Sequence, residues 1–425
     1  MPDVGPLGPL WLLVALLGAA VAVALVSRRS ALPYTVALVL FGLALSIIGP
    51  PVELPVDPEL LLAIVLPGLV FEAAFRTDVV AVRRSASGIF LLAIPGVVIV
   101  ATIVALVLSA TTTLSFTEAF LVGSMVAATD PAAVLAIFRH LRVPTRLVTL
   151  VEMESLVNDG TGIVLFALAL GMLEGSSSLG GSVVAFVVSI VGSAVLGSVV
   201  GGIAARIVRG VDEHLTELTI TVVLAYGTYL AADALGLSGV IATLLAAGTF
   251  GSRARGGLTA RAIDTIDAVW EFAAFLLTAA VFLIVGLAIA PATLALAAVP
   301  IVWGVVAILI ARAVVVYGLV GLSSALLGRS GRTDLAVPGP WLHVLFWAGL
   351  RGAVSVALAL SIPTDLPNRE LIQGITFGIV LFTLVVQGST AGLVVERSGA
   401  GTVPDSDGDG DAERDVEPAP DRPPA

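Results

Sequence analysis

The sequence predicts an all-α membrane protein of about thirteen transmembrane helices, built as two inverted six-helix repeats with two discontinuous helices crossing near mid-membrane. Three observations carry that prediction. The chain is 58% hydrophobic and 12% charged, and apolar stretches of about 20 residues recur along nearly its whole length. Its basic residues, 21 in number and all arginine, fall in alternate connections between those stretches. An acid and a base also interrupt apolar runs at corresponding places in the two halves.

The spans are expected at residues 7–26, 34–48, 59–75, 88–108, 116–138, 147–173, 182–208, 215–234, 238–250, 263–289, 294–327, 341–362 and 370–395. The first follows Asp3 with no basic residue before it, unlike the positive start of a cleaved signal peptide. Connections after the odd-numbered spans up to the eleventh hold Arg28, Arg29, Arg76, Arg83, Arg84, Arg139, Arg142, Arg146, Arg206, Arg209, Arg253, Arg255, Arg261, Arg329 and Arg332. The opposite connections hold only Arg369, so the N-terminus is expected outside and the C-terminal tail in the cytoplasm of a multi-pass cell-membrane protein. Arg312 and Arg351 fit neither set, because each lies near the midpoint of its own span.

Taking the seventh span as a linker makes the first six start outside and the last six start inside. The expected divisions are 1–110 and 111–175 for the first repeat, 176–210 for the linking helix, 211–290 and 291–397 for the second repeat, and 398–425 for an acidic, disordered tail. The formal net charge of −10 comes mostly from residues after 395, leaving the membrane part close to neutral. In that tail Asp405-Ser-Asp407-Gly-Asp409-Gly410 begins like a calcium loop, but its twelfth position is Val416 instead of the required glutamate. The chain has no cysteine, which removes disulfides and thiolate metal ligands.

The chemistry gathers inside the spans. Ala128-Thr129-Asp130-Pro131 in the fifth and Gly349-Leu350-Arg351-Gly352 in the twelfth both read as helix breaks. Proline removes a backbone donor and paired glycines weaken a helix, so free carbonyls and amides would lie beside Asp130 and Arg351. The sixth span carries Glu152-Met-Glu154-Ser155-Leu-Val-Asn158-Asp159 at bilayer depth. A charge there costs roughly 2.5–3.5 kcal/mol, so such residues pair, line a watery path or hold an ion. Ser155 and Asp159 share one helix face, and Glu154 and Asn158 share the adjacent one. Asp159, Asp130, the Ser155 hydroxyl and the Thr129 carbonyl make an all-oxygen set suited to a hard monovalent cation, with Glu72, beyond Pro67, able to complete it. A proton and a metal ion would then compete for the same carboxylates. Glu271 reads as an interfacial anchor, and Gly197 with Gly201 as a site of close helix packing.

Taken in order, Leu66-Pro-Gly-Leu-Val-Phe-Glu72, Ala128-Thr-Asp130-Pro, Glu154-Ser-Leu-Val-Asn158-Asp159, Leu309-Ile-Ala-Arg312, Gly349-Leu-Arg351-Gly-Ala-Val and Val386-Gln-Gly-Ser-Thr390 resemble the monovalent cation/proton antiporters of the first subfamily, the sodium/proton exchangers. The resemblance covers about residues 10–397. It implies a homodimer in which spans 1–3 and 8–10 form an interface domain and spans 4–6 and 11–13 a moving core. It implies an ion site of Asp159, Asp130, Ser155, Thr129 through its carbonyl, and Glu72, and transport of Na+ (or Li+) against H+ with no cofactor. It further implies a buried structural pair between Glu154 and an arginine, Arg312 or Arg351, bridged by Asn158. The Asn158-Asp159 dipeptide goes in the family with electroneutral exchange.

Other readings are weaker. A potassium/proton exchanger would use the same machinery, since an oxygen set does not announce its cavity size. An intramembrane hydrolase built on Ser155 or Asp130 needs a base, and the histidines, His140, His214 and His343, all fall near the cytoplasmic surface, so no enzyme is expected. A channel would need a carbonyl-rich filter segment, and nucleic-acid binding has no basic surface to rest on.

Overall fold

In a computed structural model of the chain, the described residues are 8–27, 32–48, 58–141, 143–175, 178–254, 257–289, 291–331 and 335–402. They are all-helical, with no strand among them. The helices are α1 (Gly8–Ser27), α2 (Tyr34–Ile48), α3 (Pro58–Arg76), α4 (Val79–Ala93), α5 (Pro95–Thr111), α6 (Phe116–Ala127), α7 (Ala132–Leu141), α8 (Thr145–Leu173), α9 (Leu179–Val208) and α10 (His214–Ala234). After them come α11 (Gly239–Ala254), α12 (Ala260–Ala288), α13 (Pro291–Leu296), α14 (Ala298–Ala313), α15 (Gly321–Arg329), α16 (Gly339–Trp347), α17 (Ala353–Leu360), α18 (Arg369–Phe382) and α19 (Gly388–Ser398). Among the described residues nine helical stretches are long and apolar enough to cross a membrane, and shorter apolar helices accompany them. The tail expected at 398–425 lies outside the described residues beyond Thr402, as do Arg28, Arg29, Arg142, Arg255 and Arg332.

Three spans differ from expectation. The fourth begins at Val79, well before residue 88, because Asp78 caps the helix by accepting from the Val80 amide at 2.8 Å. Arg83 and Arg84, expected in a connection, therefore sit on α4, where their polarity had hidden the helical start. The same span jogs at Ile94-Pro95, where the ring leaves α5 without a first donor. The eleventh and thirteenth spans each contain a π-helical stretch, Val314–Val320 after α14 and Thr383–Gln387 after α18. Wide turns of this kind cluster at functional sites, and both lie next to the residues described below.

Packing sorts the helices into two groups. In one, α2 and α3 lie on α12 and α11, with α9 and α10 against α11. The α9–α11 contact is close because Gly197 and Gly201 leave no room for a Cβ against the Ala242 and Ala246 carbonyls, as the glycine spacing predicts. In the other, α5 and α8 flank α6, α4 lies on α8, and α14, α16, α17, α18 and α19 close the bundle. Between the groups, α3 and α12 touch α17, α3, α9 and α11 touch α8, and α2 touches α7. Ser115 starts α6 with a reciprocal cap, its hydroxyl on the Glu118 amide at 3.3 Å and Glu118 on the Ser115 amide at 2.7 Å.

Candidate ion site at the crossing of two broken helices

The fifth and twelfth spans are both interrupted, and their interruptions touch. The α6 helix stops at Ala127 and α7 resumes at Ala132; α16 stops at Trp347 and α17 resumes at Ala353. The Asp130 amide donates to the Leu350 carbonyl at 2.8 Å, joining break to break, and the Ser355 hydroxyl donates to the Met125 carbonyl at 2.7 Å. Backbone groups that a continuous helix would satisfy internally are met here by the opposite chain segment, as hydrocarbon surroundings require.

Asp130 sits at two helix N-termini at once. Its carboxylate accepts from the Ala132 amide at 2.9 Å and from the Ala353 amide, so one negative charge meets the positive ends of α7 and α17. Gly352 exists to let it: a Cβ there would collide with the Asp130 carboxylate. Gly349 similarly makes room for cations, since a Cβ would lie 2.9 Å from both Arg312 Nε and Arg351 Nη1. The paired glycines thus serve close approach of charged side chains as much as a weakened helix.

On α8, Asn158 grips the first break. Its Oδ1 accepts from the Thr129 amide at 3.0 Å and its Nδ2 donates to Thr129 Oγ1 at 2.7 Å. The Thr129 and Ser155 hydroxyls are 2.9 Å apart. Asn158 is expected to bridge the Glu154 pair; the bonds its amide makes here, through both oxygen and nitrogen, go to Thr129. Glu154 pairs with Arg312 bidentately, Nη1 to Oε1 and Nη2 to Oε2 at 3.0 Å, while Arg312 Nε and Nη2 reach the Leu345 carbonyl at 3.1 and 2.8 Å. Arg312, not Arg351, is therefore the partner, and it ties α8 to the end of α16. Arg351 is 1% exposed, donates from Nη1 to the Gly349 carbonyl and from its amide to Thr383 Oγ1 at 3.0 Å, and its Nε has no acceptor among the described residues. It feels the charges of both Arg312 and Glu154.

Asp159 differs from all of these. No donor among the described residues reaches its carboxylate, and the charge that acts on it is that of Asp130. Thr129, Ser155 and Asn158 are buried, whereas Asp130 and Asp159 are each partly exposed although they lie deep in the bundle. The two aspartates thus stand at partly exposed positions beside braced neighbours, and the Asp159 oxygens meet no donor among the described residues.

Glu72 is placed elsewhere. Its carboxylate binds Arg76 at 2.8 Å one turn along α3, and Arg76 also meets Glu271 at 3.6 Å. Among the described residues no three carboxylate or histidine side chains converge, so Glu72 does not stand with Asp130 and Asp159 in this structure. Its own intrahelical partner, spaced for an ion pair, explains why. Sequence reasoning gave no role to Leu345, Ser355 or Thr383, whose contributions are a carbonyl and hydroxyls with no charge to betray them. It also gave none to Glu152, which does carry a readable signal: it stands seven residues before Asp159 and three before Ser155, on the same face of α8.

A model of the sodium/hydrogen exchanger transmembrane family matches residues 12–397. The chain belongs to that family. The Na+/H+ antiporter ApNhaP of Aphanothece halophytica is 39% identical over 376 residues, 87% of this chain and 70% of that protein. The low-affinity Na+/H+ antiporter NhaS1 of Synechocystis is 36% identical over 370 residues, 86% of this chain and 69% of that protein. Among solved structures, the exchanger fold is shared with the sodium proton antiporter MjNhaP1 of Methanocaldococcus jannaschii, with a TM-score of 0.72 at 22% identity, covering 91% of this chain and 99% of that one.

Proposed function

We propose that this exchanger carries Na+ in one direction and H+ in the other, one for one, by alternating access, with both ions competing for Asp159 and Asp130. The observation that carries this reading is the contrast at the crossing: Thr129, Ser155, Asn158 and Asp130 are braced by hydrogen bonds, whereas no donor among the described residues reaches the Asp159 carboxylate, on which the Asp130 charge acts. Oxygens of Asp159 and Asp130, with the Ser155 hydroxyl and the Thr129 carbonyl, suit sodium by hardness and count.

Charge bookkeeping supports the stoichiometry. At the crossing, Glu154, Asp130 and Asp159 stand against Arg312 and Arg351, which leaves one negative charge. One Na+ or one H+ neutralises it. An empty site would move a net charge through a barrier of low polarity, which costs roughly 2.5–3.5 kcal/mol and slows the step by about two orders of magnitude. Loaded sites move and empty ones stay, which is coupling.

The moving body in this reading is the group containing α4–α8 and α13–α19, rocking against the scaffold of α1–α3 and α9–α12; the two packing groups and the few helices that touch between them support that division. Inverted repeats, a homodimer, an outside N-terminus and a cytoplasmic tail complete the proposal; the arginine distribution supports the orientation, and the homodimer follows from the family resemblance. The experiment is dequenching of a pH dye in inside-out vesicles with sodium, lithium and potassium in turn. Sodium- and lithium-dependent proton movement that Asp159→Asn abolishes is the expected result; response to potassium alone removes the sodium assignment.

A further inference from the structure

Glu152 is the carboxylate the exchange mechanism leaves unused, and its position is informative. Along α8, Glu152, Ser155 and Asp159 follow the i, i+3, i+7 spacing of a single stripe, so Glu152 lies on the Asp159 face, roughly 10 Å nearer the helix start. It is partly exposed, as are Asp159 and Asp130. The charges acting on it come from other helices: Glu72 and Arg76 on α3, and Arg139 on α7. The α3 end is held against this part of α8 by the Thr77 hydroxyl, 3.7 Å from the Met153 sulfur. Arg139 stands nine residues beyond Asp130 on α7, a matching depth on a helix that runs the opposite way. Asp267 and Glu271 on α12 act on the same Arg76.

These residues straddle the two packing groups. Glu152 and Arg139 belong to the group that holds Asp159, and Glu72 and Arg76 to the scaffold. Glu72 and Arg76 neutralise each other and Asp267 and Glu271 add negative charge from α12, so Glu152 deepens the negative field on the way to Asp159 and Arg139 offsets it. Resting on the exchanger reading above, we propose that Glu152 lines the cytoplasmic access path and draws monovalent cations toward Asp159, with Arg139 as its opposing charge. A cation approaching along this stripe passes Glu152 before it reaches Ser155 and Asp159. Removing the Glu152 charge makes the path less negative, and removing the Arg139 charge makes it more negative. Local counter-ion concentration in a narrow cleft follows that field.

The test compares Na+ KM in inside-out vesicles, which present the cytoplasmic face, with right-side-out vesicles, which present the external face, for wild type, Glu152→Gln, Glu152→Asp and Arg139→Gln. Glu152→Gln is expected to raise the cytoplasmic-face KM by about threefold or more, and Arg139→Gln to lower it. Glu152→Asp restores most of the wild-type value, and the differences shrink as N-methylglucamine salt is added. External-face KM serves as the reference. Equal changes at both faces, or Glu152→Gln and Arg139→Gln shifting KM in the same direction, would overturn the proposal; a structural role alone gives that pattern. Wild-type protein that exchanges no sodium on either face would instead defeat the exchanger reading itself, so the two failures are distinguishable.

Discussion

Lowering the pH should raise the apparent KM for Na+ without lowering the maximal rate at saturating sodium, and the slope of that rise counts the protons that sodium displaces. Among the described residues no donor reaches Asp159, whereas Asp130 is held by the Ala132 and Ala353 amides and Glu154 by Arg312. The bonds that Asp130 and Glu154 make tie both carboxylates to the fold, which leaves Asp159 as the group that exchanges a proton for sodium in the proposed mechanism. With a single competing proton, KM rises about tenfold per pH unit once the pH lies below the range where Asp159 is ionised. The sign follows from competition: protons occupy the site at low pH, and sodium displaces them at high concentration. The measurement is sodium-driven proton flux in proteoliposomes with equal pH on both sides, scanned in steps of half a unit. A plot of log KM against pH with a limiting slope of −2, or a KM indifferent to pH, would refute a site with one exchangeable proton and with it the charge balance that makes the exchange electroneutral.

Because the Glu154–Arg312 pair is buried, with side-chain exposures of 2% and 7%, removing either partner strands the other; Glu154→Gln and Arg312→Gln should each cost about 3–5 kcal/mol, while Glu154→Leu with Arg312→Met costs less than the two single changes together, as read by SDS titration of helicity in mixed micelles. Strictly additive costs would show that the two residues do not share an interaction. Gly352→Ala drives a methyl group into the Asp130 carboxylate and should abolish exchange and lower thermal stability, whereas Gly349→Ala makes a less severe contact, 2.9 Å from Arg312 Nε and Arg351 Nη1, and should retain more of both. Asp159→Asn should leave melting temperature near wild type, because no donor is lost, while Asp130→Asn turns an amide toward a backbone N–H and should destabilise by about 1–3 kcal/mol; equal stability of the two variants in a thermal melt would contradict the capping role of Asp130.

Charge inside apolar runs made much of this site legible. Asp130, Glu154, Asp159, Arg312 and Arg351 stand out because hydrocarbon tolerates few such residues, and Pro131 with Gly349 and Gly352 marked the breaks. What could not be read was which neutral groups hold them. Asn158 reads equally well as a bridge to Glu154 or a brace on Thr129, since its amide can donate and accept in either direction; only the position of the Thr129 backbone decides. The choice between Arg312 and Arg351 likewise depended on how α14 and α16 lie against α8, which no spacing within one helix encodes. Glu72 looked available because its i+4 partner Arg76 was counted as a connection residue, although the same spacing on one helix predicts the pair that forms. The hidden start of α4 has a related cause: Arg83, Arg84 and Ser85 read as a loop in hydropathy but are compatible with a helix once Asp78 caps it.

The distribution of hydrogen bonds also says which parts of the exchanger can move. Thr129, Asn158, Ser155, Asp130, Leu350, Ser355 and Met125 link α6, α7, α8, α16 and α17 through short polar contacts, and Glu154 with Arg312 adds α14. Every half-helix end at the crossing has a partner on a neighbour, so no single element can shift without breaking several buried bonds at about 1–3 kcal/mol each. In the alternating-access mechanism proposed above, the crossing would therefore travel as one body. Motion is cheapest where polar ties are few and side chains slide, along the faces that α8 and α17 present to α11, α3 and α12. A cation bound at Asp159 would ride with that body from one side of the scaffold to the other without being handed between residues. That is why bracing everything except the Asp159 oxygens suits a carrier better than a channel.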